Sequence, residues 1–179
     1  MNFLIEYIEK FEGIIGALLG VVVTLITTQL LKNIGKVNFY LVKDDFKFTK
    51  NIKDEIGQTY PEECNKQESD CCVVDFVIEL YNNSDTNKIL RDIRIGFYNK
   101  NKLQLSVIPY DKITKRSSAH WVTYDELLNV NIPAKQIIKI EILKYLRDDD
   151  ISLIKNSDSV FLEMKNHNGK RYKFKVKSI

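Results

Sequence analysis

Cysteine, proline, alanine and tryptophan are all scarce in this chain of 179 residues: three, three, three and one. The cysteines are an odd number crowded into one stretch, Cys64, Cys71 and Cys72. That is not a disulfide framework, and it fits a reducing compartment. Seven glycines and three prolines leave no room for a collagen-like or linker-like chain. No P-loop, GxGxxG or HExxH pattern occurs. Ser117, Ser118 and His120 lie close together, but no glycine-flanked strand-helix elbow presents either hydroxyl as a nucleophile. Neither sign of charge dominates: 27 basic against 24 acidic residues give +3, well short of a dedicated nucleic-acid binder.

Hydrophobic residues make up 44% of the chain and charged residues 28%, which excludes a wholly disordered protein. The length suits one folded domain with an appendage. Lysine, isoleucine and asparagine together supply a third of the residues. All three have AT-rich codons, which points to a low-GC bacterial genome.

The one long uncharged stretch is Gly13 to Leu31, 19 residues of which 11 are Leu, Ile or Val. As a helix it covers about 28 Å, matching a hydrocarbon core of about 30 Å. A cleaved signal peptide would need a basic leader and a small-x-small site. Here Glu6, Glu9 and Glu12 face Lys10 alone, and Gln29-Leu30-Leu31-Lys32-Asn33 offers no such site. A buried core helix would be shorter and interrupted by polar residues. The stretch is therefore read as a retained transmembrane span. Phe3, Leu4, Tyr7, Ile8 and Phe11 recur at helical spacing before it, an amphipathic lead-in that makes one continuous helix from 3 to 33. Gly16, Gly20, Thr24 and Thr28 stand four apart with Gly13 beside them, a small-residue face on which a homodimer could pair.

After Lys36 the period changes to two. Alternating apolar runs begin at Val37, Val74, Ile93, Leu103, Ile138, Val160 and Tyr172, rich in Ile, Val, Phe and Tyr. Asn168-Gly169 between the last two is a strong hairpin signal. The spacing of Thr123-Tyr124-Asp125-Glu126 before Leu127-Leu128 predicts a capped short helix, and Asp150–Lys155 a second, with Asp150 as its cap. Asn51–Asp70 reads as a mobile polar loop, and Lys112–Val122 as a connector. The expected fold is mainly β: a transmembrane helix, then a seven-stranded immunoglobulin-like antiparallel sandwich with one or two short helices. A small barrel is the alternative. The domains are 1–35 and 36–179, with the span at 13–31.

No cofactor or metal site emerges. The cysteine spacing lacks the paired ligands of structural zinc. Asp148-Asp149-Asp150 lacks the spacing of a calcium loop. Adjacent Cys71 and Cys72 on a strand would point to opposite faces, leaving at most one buried. Trp121 reads as core. The most suggestive surface is basic: Arg171, Lys173, Lys175 and Lys177 on one face of the last strand, with Lys165 on the strand before. Such a stripe can meet phosphates or anionic headgroups. It can equally keep an edge strand from pairing with other chains.

The chain resembles uncharacterised small single-pass bacterial membrane proteins with an immunoglobulin-like sandwich. The span with Lys32 carries the resemblance, along with Phe76–Asn82, Leu90–Ile95, and Asn131–Gln136 leading into a strand. The resemblance implies the fold and no activity. The expected function is a membrane-anchored, non-enzymatic interaction module. Its partners would be the bilayer and an unknown protein; nucleic acid is not expected. The alternative is a tethered sensor of an anionic ligand, nucleotide or nucleic acid, working through the basic strand. Lys32, Lys36 and Lys43 follow the span while only Lys10 precedes it, which puts the C-terminal domain on the cytoplasmic side of the cell membrane.

Overall fold

The computed structural model describes residues 2–179, with side chains described for 11–31 and 34–179. Helix α1 runs Asn2–Asn33. Its segment Phe11–Leu31 is long and apolar enough to cross a membrane, and none of it is buried. This sets aside the core-helix alternative, since a core helix would hide its apolar side. The lead-in residues Phe3, Leu4, Tyr7 and Ile8 lie outside the described side chains. Thr24 returns its hydroxyl to the Gly20 carbonyl at 2.7 Å, so this polar side chain needs no outside partner.

Eleven strands follow, in two sheets, with one short helix. They are β1 (Val37–Lys53), β2 (Thr59–Glu63), β3 (Cys71–Asn82), β4 (Lys88–Asn99), β5 (Lys102–Val107), β6 (Tyr110–Ser117), β7 (Val122–Glu126), β8 (Asn129–Ile132), β9 (Ile137–Arg147), α2 (Asp149–Ile154), β10 (Ser159–Asn166) and β11 (Arg171–Ser178). Sheet A is ordered β2-β1-β3-β9-β6-β7, and sheet B is ordered β11-β10-β4-β5 with β8 paired to the first part of β4. All the pairings are antiparallel.

The seven alternating runs are β1, β3, β4, β5, β9, β10 and β11. Their inward residues meet between the sheets. Phe76, Ile78 and Leu80 of sheet A and Ile95, Phe97 and Leu162 of sheet B are fully or almost fully buried. Phe46 spans the gap, 6.4 Å from the Phe76 ring and 6.4 Å from the Phe97 ring. Phe39 stacks on Phe174 at 5.6 Å. A sandwich closed by facing aromatics in this way replaces the barrel alternative.

Four strands depart from the expectations, and each departure has a local cause. Asn51–Asp70 is not a loop: β1 continues to Lys53 and turns back as β2. Asp54 makes the turn, its Oδ1 accepting from the N–H groups of Ile56 at 3.0 Å and Gln58 at 2.7 Å. Beyond β2, Lys66 donates to the Ser157 carbonyl and Ser69 is buried, so the stretch before β3 is clasped to the turn after α2. Lys112–Val122 is not a connector but most of β6 and its turn. Thr123–Glu126 is not a helix but β7, with Asp125 ion-paired to Arg116 across the ladder. Leu127 tucks into the core while Leu128 stays outside, so a helix there would have had one apolar anchor only. Short β8 follows directly. The second helix is real, but Asp150 lies inside its first turn. The residue before it is Asp148, at φ 52° with no side-chain cap.

The end of the sandwich that receives α1 is tied by polar bonds. Asn82 is fully buried. Its side-chain N–H groups reach the carbonyls of Thr86 at 2.8 Å and Ile132 at 3.0 Å, and its Oδ1 accepts from the Ser84 amide at 3.0 Å. Asn83 donates its amide to the Lys36 carbonyl at 3.1 Å. Gly35, at φ 146°, passes so close to Ser84 that a Cβ would come within 2.6 Å of it. Asn82 and Ser84 thus form one buried polar knot, satisfied within the protein.

Candidate interaction surfaces

The outer face of sheet B carries the basic strand. The β10–β11 hairpin is closed by Asn166, whose Oδ1 accepts from the amides of Asn168 at 3.0 Å and Lys170 at 2.9 Å, with Gly169 at φ 78°. The register sets Glu163 between Lys173 and Arg94, and Lys165 between Arg171 and Arg91. A bulge in β4 puts Asp92 at φ 60°, where its carboxylate accepts from Lys165 at 2.5 Å. That hydrogen bond holds the Asp92 carboxyl below the usual range.

The expected single stripe is broken by a second bulge. Val160 pairs with Lys177 but Phe161 with Lys175, so β11 carries one extra residue there. Lys177 therefore shares its side of the sheet with the core residue Val160 and reaches across to Asp44 of β1 at 2.9 Å. Arg171, Lys173 and Lys175 stay on the outer face. Lys173 lies 3.2 Å from the centre of the Tyr98 ring, 4.2 Å from that of Phe161 and 3.8 Å from Glu163. Tyr98 in turn donates its hydroxyl to Glu163; burial and this carboxylate push the phenol up to about 12. The arrangement needs Gly96, where a Cβ would stand 2.8 Å from the Tyr98 ring.

Three of the five basic residues singled out in sequence therefore have acidic partners: Lys165, Lys173 and Lys177. Arg171 and Arg94 hold no carboxylate among the described residues. With Lys173 and Tyr98 they line a groove of about 540 Å³. Arg94 and Tyr98 belong to this face but were not legible as such, because cross-strand register cannot be read from one sequence.

The opposite sheet has a contrasting outer face. Asp75 accepts from Lys112 at 2.7 Å and Lys43 at 3.1 Å, with its side chain only 13% exposed. Burial works against its charge; the two ammonium groups outweigh it and keep the carboxyl below its ordinary value.

From sheet A a hairpin projects. β6 pairs with β9 only at Tyr110 and Asp111; beyond that Lys112 reaches back to Asp75, and the backbone pairs with β7 alone. At its tip the Ser118 amide donates to the Trp121 carbonyl at 2.9 Å. Trp121 is 56% exposed, with Val122 and Ile113 also exposed nearby in the hairpin. The expectation of a core tryptophan is overturned, since nothing packs over a hairpin that has left its sheet. No periodicity marked this tip. Its signal was an aromatic beside polar turn residues.

The cysteines also depart from expectation. Cys71 and Cys72 are both buried, Cys72 in the core and Cys71 on the outer side of sheet A. Burial pushes the Cys72 thiol up, away from thiolate chemistry. Among the described residues no group of three or more His, Cys, Asp or Glu side chains is placed to hold a metal. On α1 the small-residue face is open: a Cβ at Gly13, Gly16 or Gly20 would meet nothing within 4 Å.

Two antiparallel sheets, a shared apolar core and a single appended helix define the class: an immunoglobulin-like β-sandwich protein with an N-terminal apolar helix. The YopI Ig-like domain model matches residues 35–177, and the chain belongs to that family. It is 43% identical over 174 residues to the SPbeta prophage-derived uncharacterized protein YopI of Bacillus subtilis (strain 168), covering 97% of each chain. Among solved structures it is similar to an uncharacterized beta-sandwich protein from Clostridium difficile 630. That match has 15% identity and a TM-score of 0.33, over 79% of this chain and 86% of the other.

Proposed function

We propose that the protein is a membrane-anchored, non-enzymatic interaction module: α1 crosses the bilayer once, and the sandwich presents the β6–β7 tip to a protein partner in the cytoplasm. The observation that carries this is Trp121, exposed at the tip of a hairpin that has left its sheet. Tryptophan is enriched among residues that dominate binding energy, and a rigid aromatic on a projecting hairpin suits a partner's pocket. The test is a photocrosslinking residue at position 121 of the full chain in its own membrane, with position 153 on α2 as control. One discrete adduct at 121, absent from the control and from a Val122→Asp background, supports the reading. Equal labelling at both positions refutes it.

The anchor is supported by the exposed and mainly apolar segment from Phe11 to Leu31. A homodimer through Gly13, Gly16, Gly20, Thr24 and Thr28 would use the open face described above. Gly20→Leu should then abolish association of the span in a membrane; unchanged association would leave the face as composition alone. For the cytoplasmic orientation the reporter thiol is Cys64, the one cysteine not buried. Labelling of intact cells by an impermeant maleimide would place the domain outside.

A second reading, capture of an anionic ligand, is favoured by Arg94 and Arg171, which line the sheet B groove without carboxylate partners. Retention on a phosphate polymer at low salt, lost in Arg94→Ala/Arg171→Ala, would support it. No retention of the parent chain would remove it.

A further inference from the structure

The two ends of the sandwich differ in charge. The end that receives α1 is closed by residues 34–36 and by the turns 83–87, 133–136 and 167–170. These segments hold Lys36, Lys135 and Lys170, and Lys88 opens β4 beside them; Asp85 is their one acid. Asp85 is already engaged by Lys135 at 3.3 Å. Gly35, Lys88, His167 and Lys170 line a single cleft of about 340 Å³, so the chain leaving α1 and the β10–β11 tip meet in space. The far end has the reverse balance. Asp148, Asp149, Asp150 and Asp158 surround α2 against Lys155, the clasp before β3 adds Glu68 and Asp70 against Lys66, and the β4–β5 turn beside Asp158 brings Lys100 and Lys102, leaving six acids against four lysines.

We infer that the helix-proximal end rests on the anionic lipid headgroups of the bilayer that α1 enters, with its lysines toward the surface and the acidic end away. The inference rests on the anchoring reading. Chain reach favours it: Lys36 follows Asn33 by three residues, at most about 11 Å of extended chain. The electrostatic reach of a charged surface is about 8 Å at physiological salt. This end is therefore held where headgroup charge is felt, and the acidic end, beyond the length of the strands, is not. Lysine suits such a surface, because its flexible stem lets a compact charge find phosphates without a fixed geometry. The buried Asn82 knot ties the turns 83–87 and 133–136 together, and Arg91 of β4 donates to the His167 carbonyl at 2.7 Å, so the lysines sit on turns fixed to the sandwich.

The test is the full chain in nanodiscs of phosphatidylcholine alone and of phosphatidylcholine with phosphatidylglycerol, followed by amide exchange. In the anionic discs, exchange at 83–87, 133–136 and 167–170 should slow about tenfold, while 148–158 stays unchanged. About 1 M salt, with a screening length of about 3 Å, should erase the difference. So should Lys36→Gln/Lys88→Gln/Lys170→Gln, with unchanged exchange at β3 and β4 as the check on its fold. Incorporation into both discs with equal exchange at the proximal turns overturns the inference and leaves the anchor standing. A chain that stays outside both discs overturns the anchor as well.

Discussion

Two hairpins of similar size show how burial governs what can be read and what is left to bind. The β10–β11 hairpin has one face in the core: Leu162 and Met164 are almost fully buried, and Phe174 packs against the same cluster. The β6–β7 hairpin lies against the sandwich only at its base, where Tyr124 stacks on Tyr110 and Lys112 reaches Asp75, and its apolar residues Ile113, Trp121 and Val122 are exposed. The first advertises itself in sequence through alternation and an Asn-Gly turn. The second alternates nothing, because neither side of it is an inside. Stability is invested in one hairpin, and unused contact area is presented by the other.

The comparison can be broken by mutation. Leu162→Ala, at the core face of β10, should cost about 2–5 kcal/mol in chemical denaturation of the full chain in detergent. A loss under about 1 kcal/mol would mean that the core collapses around the gap. Asp75→Asn, on the outer face of sheet A where β3 lies between β1 and β9, should cost about 1–3 kcal/mol at neutral pH, because it removes the carboxylate that Lys43 and Lys112 share. The pH dependence sharpens this. The folded carboxyl lies below its free value of 3.8, so its contribution is present above that pH. It fades as the pH falls through 3.8 toward the lower folded value. The parent chain and the Asp75→Asn variant should therefore converge in acid; a constant gap would show that packing, not charge, is at work. Trp121→Ala should shift stability by no more than about 0.5 kcal/mol, the ordinary range for an exposed site. A larger loss would place the ring in a contact within the fold. Removing residues 1–35 should leave a soluble domain with cooperative unfolding, since neither hairpin draws on α1. Aggregation of 36–179 would sink that division.

The same contrast explains what was legible. The seven core strands were readable because a strand with one buried face must alternate. β2 and β7 are the two edges of sheet A, and β2 is exposed along its whole length. Such strands are fixed by their neighbour's hydrogen bonds and leave no pattern. The Thr123–Glu126 spacing suits a capping box, yet tertiary pairing with β6 overrode it. Site residues followed the same rule. Lys165, Arg171 and Lys173 were placed correctly on an outer face, while Lys177 was lost to a bulge that shifts the period by one residue. Both Cys71 and Cys72 proved buried, although alternation puts Cys71 on the outer side of sheet A.

Strand β1 has a mechanical consequence. It leaves the helix at one end of the sandwich, pairs with β3 from Val37 to Thr49, and runs toward the other end. The chain terminus also lies at that far end, where Ile179 bonds to Asp158. Tension drawn between α1 and a load at the far end is directed along β1, across its hydrogen bonds to β3. The rungs are then sheared together and share the load; pulled from the side, they would open one after another. In single-molecule stretching, the chain pulled through α1 and Ile179 should resist more force than the same chain pulled through α1 and Asn83, beside the Val37–Asn82 pair where the rungs open one after another.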